Sequence, residues 1–403
     1  MTDYKRRDFL KSGAALAALS GAGAAGVLLP AALAQAQSAT GKIRVGLMLP
    51  YTGTFAQLGV AIENGFRLAL AEHGGKFGGR ELEFFKVDDE SDPAKATENA
   101  NKLIQRDKVE VLVGTVHSGV EMGILKVVRE SGTLHIIPNA GADAATGGLC
   151  APNVFRTSFT NWQPSYPLGD LLIKRGHKSA VYITWKYGAG EESLGGFREG
   201  YTKAGGKLLK EMFLPFPNVE FQALLTEIAA LKPDAVVCFF AGGGAAKFLR
   251  DYAAAGLKGK IPLYGSGFLT DGILEAVGDA AEGIETTLHY GDGIETKRNN
   301  AFRLAYAKTY KLQPDVYAVQ GYDAGLLLTA GLDAVKGDSA NKAGMIKAME
   351  NVKIDSPRGP WTMSKAHNPI QDIYLRKVVG KENRVMGVAH KALADPARGC
   401  KMA

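Results

Sequence analysis

The chain has three cysteines in 403 residues, too few for a fold held together by a disulfide framework. It contains no H-E-x-x-H and no G-x-S-x-G, which removes two common hydrolase signatures. Its seven histidines are scattered without metal-ligand spacing, and no Cys/His cluster appears. A complete dinucleotide or P-loop fingerprint is missing too. Gly242-Gly243-Gly244-Ala245-Ala246-Lys247 resembles a phosphate turn but lacks the G-x-G-x-x-G spacing and the Lys-Ser/Thr of a P-loop. Asp88-Asp89 ahead of Pro93 reads as loop and helix-cap chemistry rather than a catalytic dyad. No catalytic residue, metal site or cofactor is therefore expected, and the chain does not read as an enzyme. Nor is there an Arg/Lys stripe interleaved with aromatics. The net charge of +7 is modest and scattered, which argues against nucleic acid as a partner. A weak positive field of this kind helps to recruit small anions.

What the chain does have begins at its N-terminus. Arg6-Arg7-Asp8-Phe9-Leu10-Lys11 precedes an Ala/Gly-rich stretch from Gly13 to Ala34, the arrangement of a twin-arginine (Tat) export signal. That stretch is poor in Leu, Ile and Phe compared with a stable membrane anchor, although an uncleaved N-terminal membrane helix is the competing reading. It ends in the small-x-small triplets Ala32-Leu33-Ala34 and Ala34-Gln35-Ala36, so residues 1–36 are expected to form a signal peptide and the remainder to work in the periplasm. Losing the segment removes four cations and two anions and lowers the net charge to +5. About 365 residues remain, enough for two domains with sizeable cores. Cys238 lies in an apolar run and reads as a core thiol. Cys150 and Cys400 lie in loop-like stretches, and in an oxidising compartment they are the natural pair for a bridge.

From Lys42 onward, short apolar runs alternate with stretches of helical spacing. Strands are expected at Ile43–Leu49, Leu82–Val87, Val109–Val113 and Leu134–Ile137, with helices at Leu58–Glu72, Ala94–Arg106 and Gly119–Ser131 between them. The rhythm resumes after Asn153. Strands are expected at Ser179–Thr184, Lys207–Phe213, Ala235–Phe240 and Ile261–Tyr264, and helices at Pro164–Arg175, Glu191–Ala204, Phe221–Leu231 and Ala245–Ala255. Two long helices follow at Arg298–Tyr310 and Val316–Val335, then strand-like pieces at Ile373–Val379 and Val385–His390. The alternation predicts an α/β class with two parallel sheets, each covered by helices.

The residues that fill this frame resemble the branched-chain amino-acid type of periplasmic binding protein. Val45-Gly-Leu-Met-Leu-Pro-Tyr-Thr-Gly53, Gly74-Gly75 with Gly78-Gly79, Asp92-Pro93, Val113-Gly114 with Ser118, Phe155-Arg156-Thr157, Ala255-Gly256-Leu257 and Tyr322-Asp323-Ala324 carry the resemblance in order along nearly the whole chain. It implies two Rossmann-like lobes joined by a three-segment hinge that closes on a small molecule. Carried onto this chain, the first lobe takes 42–157 plus 291–359 and the second 158–290 plus 360–403. It also implies a monomer that hands its cargo to an inner-membrane ABC permease. A ligand-binding subunit of a membrane sensor is the rival use of the same fold.

In amino-acid-binding members of that family, a serine hydroxyl and backbone N–H groups hold the ligand carboxylate, an anion nest that needs no Lys or Arg. The matching positions are Ser118, and Asn139 with Ala140 and Gly141. A plain helix cap is the other reading of Ser118. The glutamate that grips the α-ammonium in those relatives falls at Gly267, and a helping tyrosine falls near Ala241-Gly242. Without them a buried ammonium lacks a partner. Leu58, Phe159, Tyr187, Phe268, Tyr290 and Tyr322 supply apolar and aromatic surface, and Gly242-Gly243-Gly244 leaves room on the far wall. His117 either hydrogen-bonds the ligand or fills the gap left by a family cysteine whose partner position is Ser91. The expected cargo is an aromatic carboxylate such as a benzoate or phenylpropenoate. A branched-chain or other amino acid or amide is the alternative.

Overall fold

The computed structural model describes residues 41–403; the export segment expected over 1–36 lies outside them. Continuous apolar runs become strands buried on both faces, as parallel sheets require. In β1 (Ile43–Leu49) every residue but Arg44 is buried. It pairs in parallel with β3 (Arg80–Asp88) on one side and β4 (Val111–Gly114) on the other. β5 (Leu134–Ile137) and β6 (Val154–Arg156) extend that side, and the short β2 (Lys76–Phe77) forms a hairpin with β3. The order β2-β3-β1-β4-β5-β6 reverses direction between β1 and β4.

The second sheet repeats the plan. β7 (Ser179–Lys186) pairs in parallel with β8 (Lys207–Pro215) and β9 (Ala235–Phe239), and β10 (Leu263–Ser266) and β11 (Glu285–Leu288) follow in parallel. Antiparallel β13 (Pro369–Val379) closes this edge, flanked by β12 (Thr362–Met363) and β14 (Glu382–Leu393). Here the order reverses between β7 and β9.

Helices α1 (Ala56–Glu72), α2 (Ala96–Asn101) and α3 (Ser118–Ser131) connect the strands of the first sheet. α4 (Trp162–Lys174), α5 (Gly188–Lys203), α6 (Gln222–Leu231), α7 (Gly242–Ala254) and the short α8 (Leu274–Val277) serve the second. α9 (Lys297–Tyr310), α10 (Val316–Ala334) and α11 (Lys342–Glu350) come late in the chain, yet α10 and α11 pack into the first sheet's core with β1, β4 and β5. The approach is backbone to backbone: a Cβ on Gly65 of α1 would lie 1.9 Å from the Ala318 carbonyl, and one on Gly321 1.9 Å from that of Ile62. Among the described residues no helix is long and apolar enough to cross a membrane.

Three departures from the expected elements have local causes. The helix expected over 94–106 is a 3₁₀ turn, α2 and then a wider turn over Lys102–Arg106. β11 escaped notice because two of its four residues are threonines. Both hydroxyls are used internally, Thr287 donating to the Pro164 carbonyl at 2.6 Å and Thr286 accepting from Arg376 at 3.1 Å. The glycines at 242–244 begin α7 and leave space only in part: a Cβ on Gly243 would meet nothing within 4 Å, whereas one on Gly242 would lie 2.5 Å from the Thr54 carbonyl and one on Gly244 2.3 Å from the Trp185 indole.

Cys238 is buried and free, whereas Cys150 and Cys400 are joined, with 5.5 Å between their Cα atoms. Cys150 lies on the loop between β5 and β6, and Cys400 on the tail after β14. Cys400→Ser is expected to cost about 2–4 kcal/mol of stability, read as a lower urea midpoint. An unchanged midpoint would mean that the bridge contributes nothing.

Candidate functional site

In open α/β sheets, ligands bind beyond the carboxyl ends of the strands, where strand order reverses. The two reversal points of this protein face each other. Phe55 and Leu58 follow β1, and Val116 and Ser118 follow β4; Tyr187 and Ala189 follow β7, and Phe239 and Ala241 close β9. Asn139 and Gly141 after β5, Phe159 and Asn161 after β6, Phe268 after β10 and Tyr317 at the start of α10 complete the lining. Together they line a narrow cleft with about 20 Å³ of water-accessible space, room for roughly one water, so the two sides stand closed and must part to admit a ligand. Six of the fourteen lining residues are aromatic, which favours a flat apolar body. The two sides touch: Gly243 N–H donates to the Thr54 carbonyl at 3.4 Å, and the His117 and Tyr187 rings stack at 4.8 Å.

One end of the cavity is built to donate. α3 is capped by His117, whose Nδ1 accepts from the N–H groups of Gly119 at 3.0 Å and Val120 at 3.4 Å. That frees Ser118, the next residue, from the capping role. Its Oγ accepts from Asn161 Nδ2 at 3.2 Å, so its own O–H is left to donate elsewhere. Asn161 Nδ2 also donates to Glu192 at 2.7 Å, which fixes the amide. A Cβ on Gly141 would lie 2.3 Å from Asn161 Oδ1 and 2.6 Å from Phe159 Cε2, so this position admits only glycine. The Gly141 N–H donates to no acceptor among the described residues. A Cβ on Gly188, which opens α5, would stand 3.9 Å from Ser118 Cβ, so two helix N-termini meet here and favour an anion.

No carboxylate lines the cavity among the described residues. Glu192 lies behind Asn161, and burial raises its pKa; burial together with Glu192 and Asp395 raises that of Asp143. On another wall Asn139 Nδ2 donates to Gln320 at 2.6 Å, and Gln320 Nε2 lies 3.3 Å from His289 Nε2. Burial and the nearby Arg358 and Arg376 keep His289 neutral. Among the described residues no three side chains are grouped to hold a metal.

Of the residues singled out in the sequence, Leu58, Ser118, Asn139, Gly141, Tyr187, Phe268 and Phe159 meet at the cavity. Others lie elsewhere. Ala140 is behind the wall, its N–H donating to the Thr115 carbonyl at 2.9 Å and its carbonyl accepting from Arg156 Nε at 3.1 Å, so of the two Gly141 alone has a free peptide N–H. His117 is a cap stacked on Tyr187, outside the lining. Gly267 is outside it too, and the reason is steric: a Cβ there would lie 2.1 Å from Arg376 Nη2. The buried Arg376 guanidinium fills the space a longer side chain would need, and is held by Asp271 at 2.7 Å and the Gly267 carbonyl at 2.9 Å. Tyr322 packs in the α1–α10 layer, its ring 4.8 Å from Phe302 and its hydroxyl on Glu72. Tyr290 gives its hydroxyl to Asn299 at 3.0 Å. Sequence reasoning missed Phe55, Val116, Asn161, Ala189, Phe239, Ala241 and Tyr317 as lining residues. Six of these seven fall at or just beyond strand ends, the signal that would have found them; Tyr317 opens a helix.

A family model described as periplasmic binding protein matches residues 42–383. A Leu/Ile/Val-binding protein homolog from Brucella abortus is 30% identical over 348 residues, covering 83% of this chain and 87% of its own length. The solute-binding protein of an ABC transporter from R. palustris, solved with benzoate, is 53% identical with a TM-score of 0.88, covering 90% of this chain and 100% of that one. A second, from R. palustris BisB5 with 3,4-dihydroxybenzoic acid, is 32% identical with a TM-score of 0.83, covering 88% of this chain and 99% of its own.

Burial pushes the His117 pKa down to about 4, so the native imidazole refuses a proton that the unfolded chain accepts below about 6.5. Stability from this residue is complete above pH 6.5 and is lost as the pH falls toward 4, by at most about 3 kcal/mol. His117→Asn keeps a side-chain acceptor for the cap and removes the titration. The variant should lose less stability than the parent between pH 6.5 and 4. Parallel pH curves of the melting temperature would rule this out.

Proposed function

Because the chain belongs to the periplasmic binding protein family, we propose that it is the extracytoplasmic solute-binding component of an ABC importer and closes on an aromatic carboxylate of the benzoate or phenylpropenoate type. The observation that carries this reading is the pairing of an anion cradle with a ring-lined cavity that holds no acid. Ser118 O–H and Gly141 N–H offer hydrogen bonds to a carboxylate at the mouth of two helices. The remaining surface suits a ring. Where the family's amino-acid binders place a glutamate against the α-ammonium, Gly267 lies against a buried guanidinium, and an ammonium brought into this cavity would be unpaired. The benzoate complex of the R. palustris relative agrees with that chemistry. The Brucella relative named for Leu/Ile/Val favours a branched-chain amino acid as the second reading.

In the proposed cycle the lobes, 42–157 with 291–359 and 158–290 with 360–403, rotate about the three crossings between them. The ligand favours the closed form because it touches both: Ser118 and Gly141 on one side, Tyr187 and Phe268 on the other. The protein acts as a periplasmic monomer without enzymatic activity and delivers its cargo to an inner-membrane permease.

Calorimetry on protein freed of carried-over ligand tests the reading with benzoate, cinnamate and leucine. Aromatic carboxylates are expected to bind near micromolar, about −8 kcal/mol, and leucine not at all. Ser118→Ala should weaken every carboxylate by roughly 10- to 100-fold, the worth of a hydrogen bond to a charged group. Tight leucine binding with no benzoate heat would overturn the assignment.

A further inference from the structure

One of the residues lining the cavity carries a buried hydroxyl that nothing in the described protein satisfies. Tyr317 is 1% exposed, its ring lines the cavity, and its hydroxyl has no hydrogen-bond partner among the described residues. Leaving a buried hydroxyl unpaired is costly, and native structures seldom do so without a reason. The Tyr317 ring lies beside that of Phe268, with centroids 6.2 Å apart. The two nearest carboxylates are already engaged: Asp315 caps α10 by accepting from Ala318 N–H at 2.9 Å, and Asp271 holds Arg376 at 2.7 Å. Burial, with Asp271 and Asp315 close by, keeps the phenol well above its ordinary range, so it remains a neutral O–H.

The position of this hydroxyl relative to the anion cradle follows from a chain of contacts. Phe159 lies against the Gly141 backbone, 2.6 Å from where a Cβ would stand. Phe159 packs on Phe268 with centroids 4.6 Å apart, and Phe268 packs on Tyr317. Two rings therefore separate the cradle from the Tyr317 side chain along one wall. A flat ligand with its carboxylate at Ser118 that lay along Phe159 and Phe268 would extend in the direction of Tyr317.

We propose that Tyr317 is a specificity-determining residue whose hydroxyl pairs with a hydroxyl substituent on the ring of the bound carboxylate, away from the carboxyl group; this rests on the aromatic-acid reading above. A hydroxylated ring satisfies the orphan group, and an unsubstituted ring leaves it buried and unpaired. A site built to hydrogen-bond a substrate hydroxyl discriminates against the analogue that lacks it.

The test is calorimetry on the parent and Tyr317→Phe with benzoate, 3-hydroxybenzoate, 4-hydroxybenzoate and 3,4-dihydroxybenzoate. The parent is expected to bind at least one hydroxylated ring roughly tenfold tighter than benzoate. In Y317F that gap should vanish, read as the ratio of hydroxybenzoate to benzoate affinity in the variant against the same ratio in the parent. The unliganded variant should melt at or above the parent temperature, because no internal hydrogen bond is lost. Three results would overturn the inference: no hydroxylated ring preferred by the parent, an equal loss for benzoate and hydroxybenzoates in Y317F, or a clear drop in its unliganded melting temperature. If the parent binds none of the four, the aromatic-acid reading fails and this inference falls with it. A parent that binds benzoate without preferring a hydroxylated ring removes the inference alone.

Discussion

Arg156 is wholly buried at the end of β6, where its guanidinium donates to the carbonyls of Ala140 and Ala142, to Thr146 and to Asn368. The first two acceptors flank Gly141, so the peptide that faces the cavity is pinned from both sides. Asn368 precedes β13, so the same cation fastens the cradle loop to the segment that re-enters the second sheet. Two more buried arginines repeat the pattern. Arg358 donates to the carbonyls of Thr157 and Ser158 and pairs with Asp323 of α10; Arg376 gathers the carbonyls of Gly267 and Tyr290 with Asp271. Irregular chain at the centre of a protein must satisfy its carbonyls somehow. Here three planar, multiply donating cations do it, and lysine could not replace their geometry.

The same solution closes off the position of Gly267. The Arg376 guanidinium, paired with Asp271, leaves no room there for a larger side chain. Under the proposed aromatic-acid reading, selectivity between an amino acid and a simple carboxylate would come from what is unfavourable for the wrong ligand as much as from what holds the right one. The cradle would serve both ligand classes, and the missing counter-charge would separate them.

The fold was legible because its core strands are continuous apolar runs, as at Ile43–Leu49 and Ala235–Phe239, separated by amphipathic helices. β11 and α11 were not: threonine pairs hide one, and the other is a nine-residue helix containing glycine. Family membership follows from motifs such as Phe155-Arg156-Thr157, although nothing in the sequence states that Arg156 organises the loop around Gly141. At the site, Ser118, Asn139, Gly141, Tyr187 and Phe268 were readable because the sheet decides where residues just beyond its strands point, although Phe55, Val116 and Asn161 share that setting and were missed. The place of Tyr322 was not readable. Five positions along a helix turn the side chain by roughly 140°, so of the two tyrosines on α10, Tyr317 reaches the cavity and Tyr322 packs against Phe302. Which of them faces inward is set by glycine-mediated contact with α1, a partner 250 residues away in sequence.

The bridge between Cys150 and Cys400 ties a loop of the first sheet to the tail of the second. Its effect on motion differs from its effect on stability. Three chain crossings between the sheets already confine them to one side of the cleft, and a covalent link between the loop and the tail adds another fixed distance. A covalent link of this kind would keep that loop and the tail together through any relative movement of the two sheets.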